Sequence, residues 1–148
     1  MLTLALYQPD IAQNVGAVMR LCACMGVALD VIEPCGFPWD EKKIKSSALD
    51  YRNHIEVRRH DDWARFREHY TGRRIILMTT KSDQSYTDFV FQDGDVLLAG
   101  SESSGVPAPV HDVVEAAVTI PMVGQMRSLN IGMSCAMVVG EAVRQVGI

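Results

Sequence analysis

The chain has 148 residues, 48% of them hydrophobic and 22% charged, which excludes extended disorder and suffices for one buried core without disulfide or metal staples. The net charge of −4 would argue against a polyanion partner if it were evenly spread. It is not: ten of the fourteen Lys and Arg lie between Asp40 and Arg74, where seven acids leave a local charge of +3. Two solvated helices of mixed charge, Asp40 to Ser47 and Asp61 to Tyr70, account for the same charges more simply, and charge alone favours that reading.

In chain order, Leu2–Tyr7 is an apolar run fit for a buried strand. A helix follows, with Val15, Val18, Met19, Cys22 and Met25 on one face and Gly26 as its stop. Arg20 falls off that stripe. Leu29–Ile32 reads as a second strand, a charged helix starts near Asp40, and Ile55–Val57 is a candidate short strand. Asp61 or Asp62 can cap a helix carrying Trp63, Phe66 and Tyr70. Further strands are expected within Arg74–Thr79, Asp95–Ala99 and Ala116–Ile120, and a last helix from about Ser128 to Val146. Continuous apolar strands interleaved with helices predict a single α/β domain over residues 1–148, its parallel sheet covered by helices.

The longest uncharged run, Ser128 to Gly140, is too short to span a membrane, and no secretory signal opens the chain; a cytoplasmic protein is expected. Cys22, Cys24, Cys35 and Cys135 lack C-x-x-C spacing and a His pair, so they are expected to be buried free thiols rather than a metal site.

Ligands of parallel sheets bind beyond the carboxyl ends of strands, which directs attention to three loops. The first is Pro9-Asp10-Ile11-Ala12-Gln13-Asn14-Val15-Gly16, leading into the helix of Arg20. The second is Gly100-Ser101-Glu102-Ser103-Ser104-Gly105-Val106-Pro107, which matches neither a Walker loop nor a dinucleotide fingerprint nor the G-x-S-x-G of hydrolases. The third is Ile120-Pro121-Met122 through Ser128-Leu129-Asn130, with Ser128 placed to cap the last helix. In that helix Gly132, Ala136 and Gly140 form a stripe of small residues suited to close helix approach, within the fold or across a dimer.

Taken in this order, Asn14-Val15-Gly16 through Arg20, Gly100-Ser-Glu102-Ser-Ser-Gly105-Val-Pro107, and Ile120-Pro121-Met122 through Ser128-Leu129-Asn130 resemble the three motifs of the SpoU branch of the SPOUT RNA methyltransferases. Ile32-Glu33-Pro34-Cys35-Gly36-Phe37-Pro38-Trp39-Asp40, Leu49-Asp50-Tyr51, Gln92–Asp95 and Glu141–Gln145 are similar to the branch's small enzymes that methylate the ribose of the tRNA wobble nucleotide, C or U at position 34. The resemblance implies a SPOUT-like fold with a C-terminal trefoil knot, and a homodimer through the C-terminal helix and its neighbours. It further implies S-adenosylmethionine as cofactor and tRNA as substrate, without metal. By position it carries cofactor contacts to Met78, Gly100, Ile120 and Ser128, and catalytic roles to Arg20, Asn14, Glu102, Ser128 and Asn130. The same chemistry on another tRNA or rRNA site, and a silent RNA-binding dimer, remain as alternatives. The chain departs from the family pattern at Gln13, Ser103-Ser104, Gly132-Met133 and Gly140, where relatives carry Pro, Thr-Arg, Ser-Asn and Tyr.

Overall fold

The computed structural model describes residues 1–48, 55–126 and 128–148; Leu49-Asp50-Tyr51, Arg52 and Arg127 lie outside the described residues, as does the side chain of Lys45. Strands β1 (Thr3–Tyr7), β2 (Ala28–Ile32), β3 (Val57–His60), β4 (Ile75–Met78), β5 (Val96–Ala99) and β6 (Ala116–Val118) form one sheet, ordered β3-β2-β1-β5-β4-β6. Every pairing between them is parallel. Helices α1 (Ala12–Met25), α2 (Glu41–Ala48), α3 (Trp63–His69), α4 (Ala108–Val113) and α5 (Ile131–Val146) cover it.

Alternation along the strands divides the core between two faces. Leu4, Leu6, Leu29, Val31 and Leu97 pack with Val15 and Val18 of α1, Ile44 of α2, and Val138 and Val139 of α5. Ala5, Tyr7, Ile32, Leu77 and Leu98 point the other way, onto Phe66 of α3, Tyr70 at its end, and Val110 of α4. The basic segment is thereby split. Lys42 and Lys43 lie on α2 over one face and Arg65 and Arg67 on α3 over the other, so the positive charge wraps the β3 edge of the sheet. Arg73 and Arg74 are structural: Arg73 donates to the Gly94 carbonyl at 2.6 Å, and Arg74 pairs with buried Asp95 at 2.6 Å.

α1 carries the expected buried stripe, Val15, Val18, Met19 and Cys22, and ends at Gly26 in the left-handed region at φ 68. Arg20 is exposed, as its place off the stripe requires. Asp62, not Asp61, caps α3 by accepting from the Arg65 N–H at 2.8 Å.

Other expectations are corrected. β3 spans Val57–His60 rather than Ile55–Val57, because the chain comes into register with β2 only where Val57 meets Leu29, and runs on until His60 reaches buried Asp30. β6 stops at Val118, because Thr119 turns its hydrogen bonds from β4 to Gln84 and Tyr86. α5 starts at Ile131 and is capped by Asn130 rather than Ser128: Asn130 Oδ1 accepts from the N–H groups of Gly132 and Met133 at 2.8 and 3.4 Å. Cys22 and Cys135 are buried free thiols and Cys35 is half-buried, but Cys24 is exposed, since it follows Arg20 by one helical turn on the same outer face. Of the small-residue stripe, Gly132 faces Ala17 within the chain, whereas Ala136 is exposed.

A buried polar network ties β2, β3 and α3 together. His60 Nε2 lies 2.6 Å from Asp30 Oδ2, and the Tyr70 hydroxyl donates to the same oxygen at 2.7 Å. Burial first, and the bond to Asp30 second, push the Tyr70 phenol from its usual 10.0 up to about 12. The unfolded chain's phenol therefore ionises before the native one does. Its contribution to stability is complete below the unfolded value and is lost as pH rises through the native one. Tyr70→Phe is expected to cost about 1–2 kcal/mol at neutral pH and to flatten this part of the alkaline decline, as urea melts at neutral and alkaline pH will read.

Candidate active site

Ligands of parallel sheets bind beyond the carboxyl ends of the strands, where the loops after β1 and β5 meet through hydrogen bonds from the Asp10 N–H to Glu102 and from Ser103 to the Asp10 carboxylate. There the last residues of β4, β5 and β6 floor a cavity of about 860 Å³, walled by the loops that follow them and by the start of α5. Seven of the eight nominated residues line it: Asn14, Met78, Gly100, Glu102, Ile120, Ser128 and Asn130. The fold thus brings Asn14 and Asn130, 116 apart in sequence, to one cavity.

Arg20 is not in the lining. It sits on the exposed side of α1, six residues beyond Asn14, and can serve the cavity only from outside its walls.

The loop after β5 is a tight closed turn. Ser101 and Gly105 exchange two backbone hydrogen bonds, at 3.0 and 2.9 Å, and Gly105 adopts φ 64. A Cβ on Gly100 would lie 2.7 Å from both Cα and C of Gly105, so only glycine lets the turn close. Glu102, at its tip, turns inward, and one carboxylate oxygen accepts from the Asp10 N–H at 2.8 Å. Its other oxygen is buried and accepts no hydrogen bond among the described residues. Burial holds the Glu102 carboxyl above the usual carboxylate range, against the pull of the backbone donor at Asp10.

The Asp10 side chain makes the return contact, accepting from the Ser103 N–H at 2.9 Å and the Ser103 hydroxyl at 2.6 Å. These bonds keep the Asp10 carboxyl below its ordinary value. Asn130 Oδ1 is committed to the α5 cap, which leaves its amide N–H groups as the part of the side chain a substrate can use.

Sequence reasoning missed other lining residues. Thr79 and Lys81 follow β4 directly, and Lys81 is one of only four bases outside the basic segment, the signal that could have found it. His111 also lines the cavity, and its Nε2 is buried without a hydrogen-bond partner among the described residues. The Ser103 hydroxyl donates to the Asp10 carboxylate at 2.6 Å.

The chemistry of this cavity suits a cationic nucleoside-like cofactor. Leu77, Ala99, Val118 and Val138 supply an apolar floor, while loop backbone and the half-buried Glu102 carboxylate supply polar and negative walls. Among the described residues no group of three His, Cys, Asp or Glu side chains stands close enough to hold a metal ion.

The chain belongs to the SpoU rRNA Methylase family, whose model matches residues 1–140. A tRNA (cytidine(34)-2′-O)-methyltransferase of Beijerinckia indica is 50% identical over 146 residues, covering 97% of this chain and 91% of its own. The protein of the same name from Escherichia coli K12 is 41% identical, covering 99% and 95%. A solved structure described as giving structural insights into the 2-OH methylation of C/U34 on tRNA superposes with a TM-score of 0.93 at 40% identity, covering 98% of this chain and 95% of that one.

Proposed function

We propose that this protein transfers a methyl group from S-adenosylmethionine to the ribose 2′-OH of the wobble nucleotide, C or U34, in tRNA. The observation that carries the proposal is the convergence of six residues from three separated motifs, with Met78, on one cavity, in a chain half identical to an enzyme of that name. Incubation with labelled S-adenosylmethionine and total tRNA, followed by nucleoside mapping, tests it; 2′-O-methylated C or U at position 34 is expected, and label at another position or none rejects it.

Met78, Gly100, Ile120 and Ser128 hold the cofactor, largely through backbone groups, which suits loops rich in Gly and Pro. Bound there, S-adenosylmethionine supplies an electrophilic methyl on a good sulfonium leaving group. The protein's task is to align the 2′-OH and stabilise the negative charge that develops on it. Arg20 takes that role, gripping the adjacent phosphate and the developing alkoxide; a guanidinium does not give up its proton near neutral pH, so the hydroxyl proton leaves to a phosphate oxygen or water. Asn14, Glu102 and Asn130 shape the site from the cavity wall, and Ser128 touches cofactor or ribose. Lys42, Lys43, Arg65 and Arg67, along the β3 edge, form the tRNA-facing surface.

We further infer one domain over residues 1–148, a trefoil knot in the segment from β6 into α5, and action in the cytoplasm. Supporting these are a single sheet shared by both core clusters, the placement of β4 between β5 and β6, and the lack of any described helix long and apolar enough to cross a membrane. A homodimer through α5 and its neighbours accounts for the exposed apolar residues there: Met133 is 62% and Met137 40% exposed one turn apart, with Leu129 and Ile11 also uncovered. Met133→Lys with Met137→Lys is expected to convert a dimeric mass to a monomeric one in light scattering, while a single mass unchanged by the substitutions counts against that interface.

A further inference from the structure

Asp10 belongs to neither the cavity lining nor the residues that the motifs nominate, yet three loops meet on it. Its carboxylate takes both hydrogen bonds that Ser103 can donate, and its own N–H holds Glu102. On the opposite side the loop after β2 closes in: the Gly36 N–H donates to the Pro9 carbonyl at 2.9 Å, and a Cβ on Gly36 would lie 3.0 Å from an Asp10 carboxylate oxygen and 3.1 Å from its Cα. The chain reaches Asp10 through Gln8, a non-glycine residue in the left-handed region at φ 43. Such strain persists only where surrounding structure fixes it, and here the Gln8 N–H bond to the Ile32 carbonyl at 2.8 Å does so. The geometry is reciprocal: side chain to backbone and hydroxyl in one direction, backbone to side chain in the other.

We propose that Asp10 is a positioning residue for methyl transfer: by clamping Ser103 it holds the turn after β5 where the residue-10 N–H fixes the Glu102 carboxylate in the cavity wall. The inference rests on the role given to Glu102 above. The Ser103 bonds pull the Asp10 carboxyl below its ordinary value, as hydrogen bonds to an anionic acceptor do, so the clamp is charge-assisted. Asp10 lies outside the cavity lining, so its effect passes through Glu102, and a small misplacement of a catalytic group costs up to about a hundredfold in rate.

The test is a double-mutant cycle with Asp10→Ala and Glu102→Gln, reading kcat and KM for methyl transfer to tRNA and the affinity for S-adenosylhomocysteine by calorimetry. Asp10→Ala is expected to lower kcat about 10- to 100-fold with KM changed less than about twofold, and to add less than about twofold in the Glu102→Gln background. Should Asp10→Ala fail to fold by circular dichroism, Ser103→Ala, which deletes only the hydroxyl bond of an exposed residue, gives the same non-additive pattern at smaller amplitude. Full, additive losses in both backgrounds, or an unchanged kcat in Asp10→Ala or Ser103→Ala, overturn the positioning role alone. An undiminished kcat in Glu102→Gln overturns the site assignment and this inference with it.

Discussion

Arg20→Ala is expected to lower methyl-transfer turnover by about 10²- to 10³-fold while leaving affinity for S-adenosylhomocysteine within about twofold of the parent. The two halves of the expectation have separate physical grounds. Loss of a donor aimed at developing oxyanion charge removes stabilisation that exists only in the transition state, so it appears in kcat. Affinity for the cofactor is preserved because Arg20 lies outside the lining of the cavity, on the exposed side of α1. Arg20→Lys keeps the charge but loses the planar fork that grips a phosphate in two places, so only partial recovery is expected. Single-turnover labelling at saturating tRNA, beside calorimetry with S-adenosylhomocysteine, separates these effects. Full turnover in Arg20→Ala removes the arginine from the mechanism; lost cofactor binding places it in the wrong half of the site.

The strands were legible because a parallel sheet buried on both faces demands unbroken apolar runs, and Leu2–Tyr7, Ile75–Met78 and Val96–Ala99 have them. β3 was misplaced because its residues, Val57-Arg58-Arg59-His60, carry no such run; the register with β2 and the buried Asp30 define it, and both are long-range. α4 gave no periodic signal because it has six residues and a proline in its first turn. Whether Ser128 or Asn130 caps α5 turns on which side chain meets the first free N–H groups, a matter of ångströms that composition does not encode. The three site loops stood out because chemistry collects after strands, but Asp10 with Ser103 did not: that contact joins residues 93 apart and matches no spacing rule.

Gly100→Ala is expected to weaken binding of S-adenosylhomocysteine at least about tenfold, or roughly 1.4 kcal/mol, with turnover falling in step. The added Cβ would stand 2.7 Å from backbone atoms of Gly105, a distance no real contact tolerates, and no flexible side chain is there to yield. Backbone must shift instead, and the two Ser101–Gly105 hydrogen bonds are what a shift breaks first. As the turn opens, Glu102 leaves the Asp10 N–H and the cavity loses one wall. β5 itself should survive, because Val96–Ala99 are buried between β1 and β4 and pair with both before the turn begins. The damage is therefore local, and thermal melting should move far less than ligand affinity does. Gly140→Ala is the matched control: in mid-α5 nothing lies within 4 Å of its added Cβ, and alanine favours the helix by up to about 1 kcal/mol, so cofactor affinity should hold and the melt should rise or stay. Calorimetry and melting on the pair decide the matter, for a Gly100→Ala protein that binds like its parent would show that the turn after β5 forms no part of the cofactor's cradle.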